Sequence, residues 1–389
     1  GRGMSPKKAP RPPPGEFCDL TASRGITLYY EYTGPANKDW QGDKEETVFM
    51  LLGSCADLRK TADQQYINLS VSYYKILVYD HRNTGRSTIK DEPCTMEDYA
   101  DDAAALLEAV LPEKLPVYVI GISFGGMVAQ HLAIRHPHLI KKLVLCCCAT
   151  GGGGGMSFPI HQWYAPGVPQ EERVMKRMMQ ANSDRNDEWM KKSKSEFEMS
   201  FAILKRDEKC GESDPLRWEG VTRQLDARKE HDTWDKISQL EMDVLVLGSP
   251  KDMITPPKLS ENMAKRIGKN AEMKLDFDWG HPFMAADVAA PPFVNEWLRS
   301  PLKNPTAPPP GPAQIWEVVG GKEKGGIVVR AGVETSSAEL ERLSTGALIE
   351  QIKLVDGRLN FKRLTGTGPG SGWISVKLKE KDLAVRTDK

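Results

Sequence analysis

The chain has 389 residues, too many for one typical domain and few for three, and its composition is that of an ordinary globular protein. Its 53 basic and 53 acidic residues cancel, so no overall charge draws it to nucleic acid or to an anionic membrane. It contains no run of apolar residues long enough for a membrane span.

Residues 1–16 are basic and rich in proline, cannot pack a core, and are expected to be disordered. The chain opens at Gly1, so an upstream targeting segment stays open. Strands are expected at 28–32 and 47–52, joined by a polar loop with Pro35 and Gly42, and again at 75–79. A helix at 96–111 starts from Thr95 as N-cap. The β-forming run 117–120 meets Gly121-Ile122-Ser123-Phe124-Gly125, and a helical pattern follows. Strand 143–148 ends in three adjacent cysteines, read as buried filler because neighbouring strand residues alternate faces and no ligand spacing accompanies them. An odd total of seven cysteines points to free thiols in a reducing, cytoplasmic compartment.

Residues 151–240 break the alternation: five glycines read as a hinge, followed by helices at 171–182, 188–204 and 215–228 rich in methionine. This is the pattern of a helical cap inserted between two core strands. Strand 244–247, helix 258–267, strand 272–277 and helix 285–298 then complete a mostly parallel, doubly wound α/β domain, 17–300. Six prolines between 301 and 312 mark a linker, 301–313. Strand candidates at 316–319, 326–330, 348–354, 359–364 and 373–378, with the Asp356-Gly357 turn signal, make 314–389 a small β-barrel-like, SH3-like domain. Its partner is not legible.

The chemistry concentrates at three loops. A G-x-S-x-G string between a strand and a helix makes a sharp turn that lifts the serine hydroxyl above the sheet. Asp252 and His281 follow later strands, so all three lie at the carboxyl edge of the sheet, where open α/β sheets bind ligands. Ser123 would attack a carbonyl, His281 would carry its proton, and Asp252 would fix the imidazole tautomer. Phe124 N–H, at a helix start, is one oxyanion donor. His81 is a rival base at another strand end; His131, His136 and His138 are read as structural. No metal or cofactor is expected.

These segments resemble the α/β-hydrolase superfamily from about Ile26 to Leu298. Gly-Ile-Ser-Phe-Gly-Gly at 121–126, Lys-Asp-Met-Ile-Thr-Pro-Pro at 251–257 and Trp-Gly-His at 279–281 are similar to its nucleophile, acid and histidine segments. Tyr79 to Ser87 resembles the Asp-x-Arg-Gly-x-Gly-x-Ser stretch of its esterase, lactonase and C–C-hydrolase branch. The resemblance implies a serine hydrolase of small-molecule esters or lactones, with thioester and C–C cleavage open on the same triad. Where the family has His-Gly after the third strand, this chain has Leu52-Gly53, so the second oxyanion donor is Ser54, or Cys55 if the register slips by one. A non-catalytic receptor or interaction protein on the same fold is the alternative.

Overall fold

The computed structural model describes residues 15–33, 46–64, 74–303, 314–355, 357–379 and 381–387. The 1–14 segment, the Pro35–Gly42 loop, the prolines from Pro305 to Pro312 and Asp356 lie outside them. The chain divides into two units, Gly1–Thr306 and Ala307–Lys389.

The first unit holds β1 (Glu16–Leu20), β2 (Ile26–Thr33), β3 (Thr47–Leu51), β4 (Lys75–Tyr79), β5 (Val117–Ile122), β6 (Ile140–Cys146), β7 (Asp243–Leu247) and β8 (Ala271–Lys274) in one sheet, ordered β1-β2-β4-β3-β5-β6-β7-β8. β1 and β2 run antiparallel at one edge, and β4 through β8 pair in parallel. Every residue of β3, β5 and β7 is buried, as expected for strands covered on both faces. On one face lie helices α1 (Met96–Val110), α2 (Phe124–Arg135) and, after the insertion, Pro257–Ile267. The other face is covered by the helix Ala290–Arg299 through Val294, Trp297 and Leu298. Thr95 caps α1 in a reciprocal capping box with Asp98, worth about 1 kcal/mol.

The register levels the carboxyl ends. Leu51 pairs with Gly121, Ile122 with Cys146, and Cys146 with Leu247. The loops that follow, at Gly53, Ser123, Cys147 and Gly248, therefore emerge side by side.

The insertion between β6 and β7 carries α3 (Gln170–Gln180), α4 (Asp187–Lys192), α5 (Lys194–Asp207) and α6 (Arg217–Lys229). The single helix expected at 188–204 is two, because Ser193 leaves the helical region and serves as C-cap of α4 and N-cap of α5. The five glycines are not an open hinge. Gly151 bridges Gly155 around a tight turn, and a Cβ at Gly153 or Gly154 would strike the Trp234 indole. The helix expected at 285–298 is likewise interrupted. Asp287 accepts the Ala289 N–H at 2.8 Å and Pro291 opens a new helix, so α8 (Phe283–Ala286) and α9 (Ala290–Arg299) are separate, with Pro257–Ile267 as α7.

The second unit is a seven-stranded antiparallel sheet ordered β11-β10-β14-β13-β12-β9-β17. Its strands are β9 (Ile315–Val318), β10 (Ile327–Arg330), β11 (Glu339–Leu343), β12 (Leu348–Val355), β13 (Arg358–Arg363), β14 (Ser371–Ser375) and β17 (Ala384–Thr387). β15 (Lys377–Leu378) and β16 (Lys381–Asp382) form a separate ribbon. Alternate residues, among them Trp316, Val318, Ile327, Val329, Ile349, and Phe361, build one core.

Candidate active site

Ser123 sits between β5 and α2 at φ 56, ψ −116, a region that non-glycine residues avoid. Its neighbours make this tight turn feasible. A Cβ at Gly121 would lie 2.6 Å from the Gly125 carbonyl, and one at Gly125 only 2.0 Å from the Leu51 carbonyl. The Ser123 N–H is held by the Cys146 carbonyl at 2.9 Å, which anchors the turn to the adjacent strand.

The three expected residues meet. His281 Nε2 is 3.0 Å from Ser123 Oγ, and His281 Nδ1 is 2.8 Å from Asp252 Oδ2. Asp252 is 2% exposed, and its other oxygen accepts the N–H groups of Ile254 and Thr255, each at 2.8 Å. A carboxylate can only accept, so Nδ1 carries the imidazole proton and the Nε2 lone pair faces the serine hydroxyl. The histidine loop is held in turn. Gly280 N–H donates to Ser249 Oγ at 3.0 Å, and His281 N–H donates to the Ala181 carbonyl of the insertion at 2.7 Å. Gly280 has φ 69 and no room for a side chain, since a Cβ would lie 2.2 Å from that same carbonyl.

On the other side of the serine, a Cβ at Gly53 would be 3.6 Å from Ser123 Cβ, so the Gly53-Ser54 backbone stands against the nucleophile. Phe124, as first residue of α2, has no intrahelical acceptor for its N–H. The Cys55 N–H is committed elsewhere, to Gln224 Oε1 of α6 at 2.6 Å.

His81 does not reach the serine. It is 1% exposed, donates Nε2–H to the Leu52 carbonyl at 3.2 Å, and packs edge-on against Phe124. Burial pulls its pKa down to about 4, so it braces the β3 loop as a neutral ring. His131 lies 3.1 Å from His231 inside the fold, and His136 pairs with Asp101. Asp80 binds the N–H groups of Leu58 and Arg86, at 2.8 and 2.9 Å, and so ties its own loop to the segment after β3.

Cys147, Asp252 and His281 offer ligand atoms within 4.8 Å of one another. Burial, then the Asp252 charge, hold the Cys147 thiol well above its ordinary pKa, and both imidazole nitrogens are already engaged, so the trio is a poor cation site. Gln224, Ser249, Thr255 and the Ala181 carbonyl support the site without any motif. Each acts through one amide, hydroxyl or backbone group, for which spacing leaves no trace.

Known proteins resemble the chain in fold and family. The profile of a family described as alpha/beta hydrolase fold matches residues 59–285. A protein named "Putative carbamate hydrolase RutD" from Pantoea ananatis is 23% identical over 291 residues, 72% of this chain and 97% of its own. A pimeloyl-[acyl-carrier protein] methyl ester esterase from Neisseria meningitidis is 23% identical over 226 residues, 55% of this chain and 65% of its own. Among solved structures, a hydrolase from Pseudomonas aeruginosa superposes with TM-score 0.57 at 20% identity, over 74% of this chain and 98% of that one. The enol-lactonase of Burkholderia xenovorans gives 0.53 at 16%, over 70% and 95%. With a doubly wound sheet, a serine at the strained turn after β5 and a family profile spanning more than half its length, the chain belongs to the α/β-hydrolase fold family.

Proposed function

We propose that the chain is a serine hydrolase that cleaves small carboxylic esters or lactones through an acyl-enzyme on Ser123. One observation carries this reading: a single imidazole, His281, hydrogen-bonded to both Asp252 and Ser123 Oγ. As Oγ bonds to the substrate carbonyl carbon, its proton passes to His281 Nε2, and Asp252 stabilises the imidazolium. The carbonyl oxygen takes up the electron pair and is held by the N–H groups of Phe124 and Ser54. Ser54 is preferred to Cys55 because the Cys55 N–H already donates to Gln224. Collapse expels the alcohol, which takes the proton from His281. Water then repeats the sequence and releases the acid. Thioesters, carbamates and activated C–C bonds are open to the same steps, and the carbamate hydrolase and methyl ester esterase among the relatives support a carbonyl-centred hydrolysis.

A fluorophosphonate probe tests the reading. It should label wild-type protein and leave S123A unlabelled, and S123A should lose on the order of 10⁶ in kcat on a small ester. Folded wild-type protein that resists the probe overturns the assignment.

For the second unit we propose an SH3-like β module serving a protein partner, supported by its antiparallel sheet around a single core. All seven cysteines are free thiols, which supports a reducing, cytoplasmic setting. Among the described residues no helix is long and apolar enough to cross a membrane.

A further inference from the structure

Several buried polar atoms with no hydrogen-bond partner converge where α6 meets the loop after β3. Arg228, near the carboxyl end of α6, is 3% exposed. Its Nη2 donates to Ser157 Oγ at 2.6 Å and to the Phe158 carbonyl at 2.9 Å, while its Nε is buried and donates to nothing. Among the described residues no carboxylate pairs with it, and burial pulls its pKa down to about 10. One turn earlier on the same helix face, Gln224 is fully buried. Its Oε1 takes the Cys55 N–H, and its Nε2 has no partner. Ser54 Oγ, next in the chain to Cys55, and His161 Nδ1, whose ring feels the Arg228 charge, are also buried and unpartnered.

These atoms are joined to the candidate active site. Phe158 N–H donates to the Ile254 carbonyl at 2.7 Å, and Ile254 N–H donates to Asp252. Cys55, Ile160, Val221, Leu225 and Ile254, from the same segments, form one apolar cluster. Buried donors are ordinarily satisfied, and a buried cation without a counter-charge is costly to keep. Clamping Ser157 and Phe158 would need neither the free Nε nor the unmet Gln224 amide beside it. A guanidinium with its Nε–H unspent, next to an unspent amide donor, matches a compact carboxylate. Gln224, through the Cys55 N–H, flanks the loop that carries the oxyanion donor Ser54, whereas the leaving group would lie by His281. The anion therefore belongs to the acyl part.

We propose that Arg228, with Gln224 beside it, holds a carboxylate on the acyl part of the substrate, so that the enzyme acts on half-esters of short dicarboxylic acids. This rests on the serine-hydrolase reading.

The test compares monomethyl glutarate with dimethyl glutarate, measured by acid release. Wild-type kcat/KM on the half-ester should exceed that on the diester by about tenfold or more. In R228M that ratio should fall to near one. Equal or faster turnover of the diester by wild-type enzyme overturns the proposal, whatever R228M does. A binding arm needs no turnover and no Arg228 variant. Glutarate should raise the melting temperature of S123A while butyrate does not, and the absence of a glutarate shift overturns the proposal as well. Failure of fluorophosphonate labelling with the glutarate shift intact would fault the hydrolase reading alone. Labelling and diester turnover without charge preference would fault this inference alone.

Discussion

At the scale of single residues, the site is held by hydrogen bonds whose direction is forced. Asp252 Oδ1 is occupied by two backbone donors, so Oδ2 must take the imidazole Nδ1–H. In D252N the amide oxygen should stay with those donors, which turns its NH₂ toward His281 and selects the wrong tautomer. A loss of about 10⁴ in kcat with an unchanged melting temperature is expected. Activity within tenfold of wild type would reassign the acid. The buried histidines make a separate prediction. Burial pulls His131 down to about 4 and His231 to about 3. Both stay neutral in the folded chain, while the unfolded chain protonates them below about 6.5. Their stabilising contribution is therefore complete above pH 6.5 and is lost as pH falls toward 4, by an amount on the order of a few kcal/mol. Asp80, raised to about 7 chiefly by burial, acts in the opposite sense, and comparison with a variant cancels it. Urea unfolding at pH 7 and pH 5 should show a smaller pH effect in H231Q than in wild type. Equal slopes would show that the pair does not titrate on unfolding.

At the scale of elements, the β5 strand, its turn and α2 pack without spare volume. In G125A a Cβ would fall between the Leu51 and Leu52 carbonyls, at 2.0 and 2.6 Å. The backbone cannot retreat, so roughly 3 kcal/mol or more of stability should be lost, together with nucleophile reactivity. A wild-type melting temperature in G125A would show that the turn has slack. The central strands and the Ser123, Asp252 and His281 positions were legible because each rests on an apolar run or a loop motif. Several elements were not. β1 carries Glu16 and Asp19 at a sheet edge, and β11 exposes four of its five residues, so neither has the apolar alternation that marks a strand. The break at Ser193 lies inside an unbroken helical pattern. Gln224 is one amide in a polar helix, and nothing in its spacing separates it from a surface glutamine.

At the scale of the whole molecule, the end of the first unit lies beyond its last helix. Lys142 is 1% exposed in β6, and its Nζ donates to the carbonyls of Trp297 and Ser300. Lys303 N–H donates to Asp243 at 2.8 Å. A chain cut after residue 300, the boundary expected from composition, would lose the Lys303 bond to β7. One cut after residue 306 keeps it. Residues 1–306 should retain the ester kcat/KM of the full chain within about twofold and unfold cooperatively. A tenfold loss would make residues 307–389 part of the catalytic unit.

The hydrogen bond from His281 to the Ala181 carbonyl bears on how such a protein can diverge. A backbone carbonyl is offered by every amino acid, so the chemical identity of position 181 is free to drift among small side chains. The count of residues leading to it is not free. One residue gained or lost between α3 and Asp184 would carry the acceptor away from the imidazole loop, and with it the Asp184 carboxylate from Lys251. The outer surface of α4 and α5 bears no such constraint. Lineages of this chain should therefore vary in length on that surface while keeping the spacing of residues 180 to 184 constant, even where their side chains share nothing.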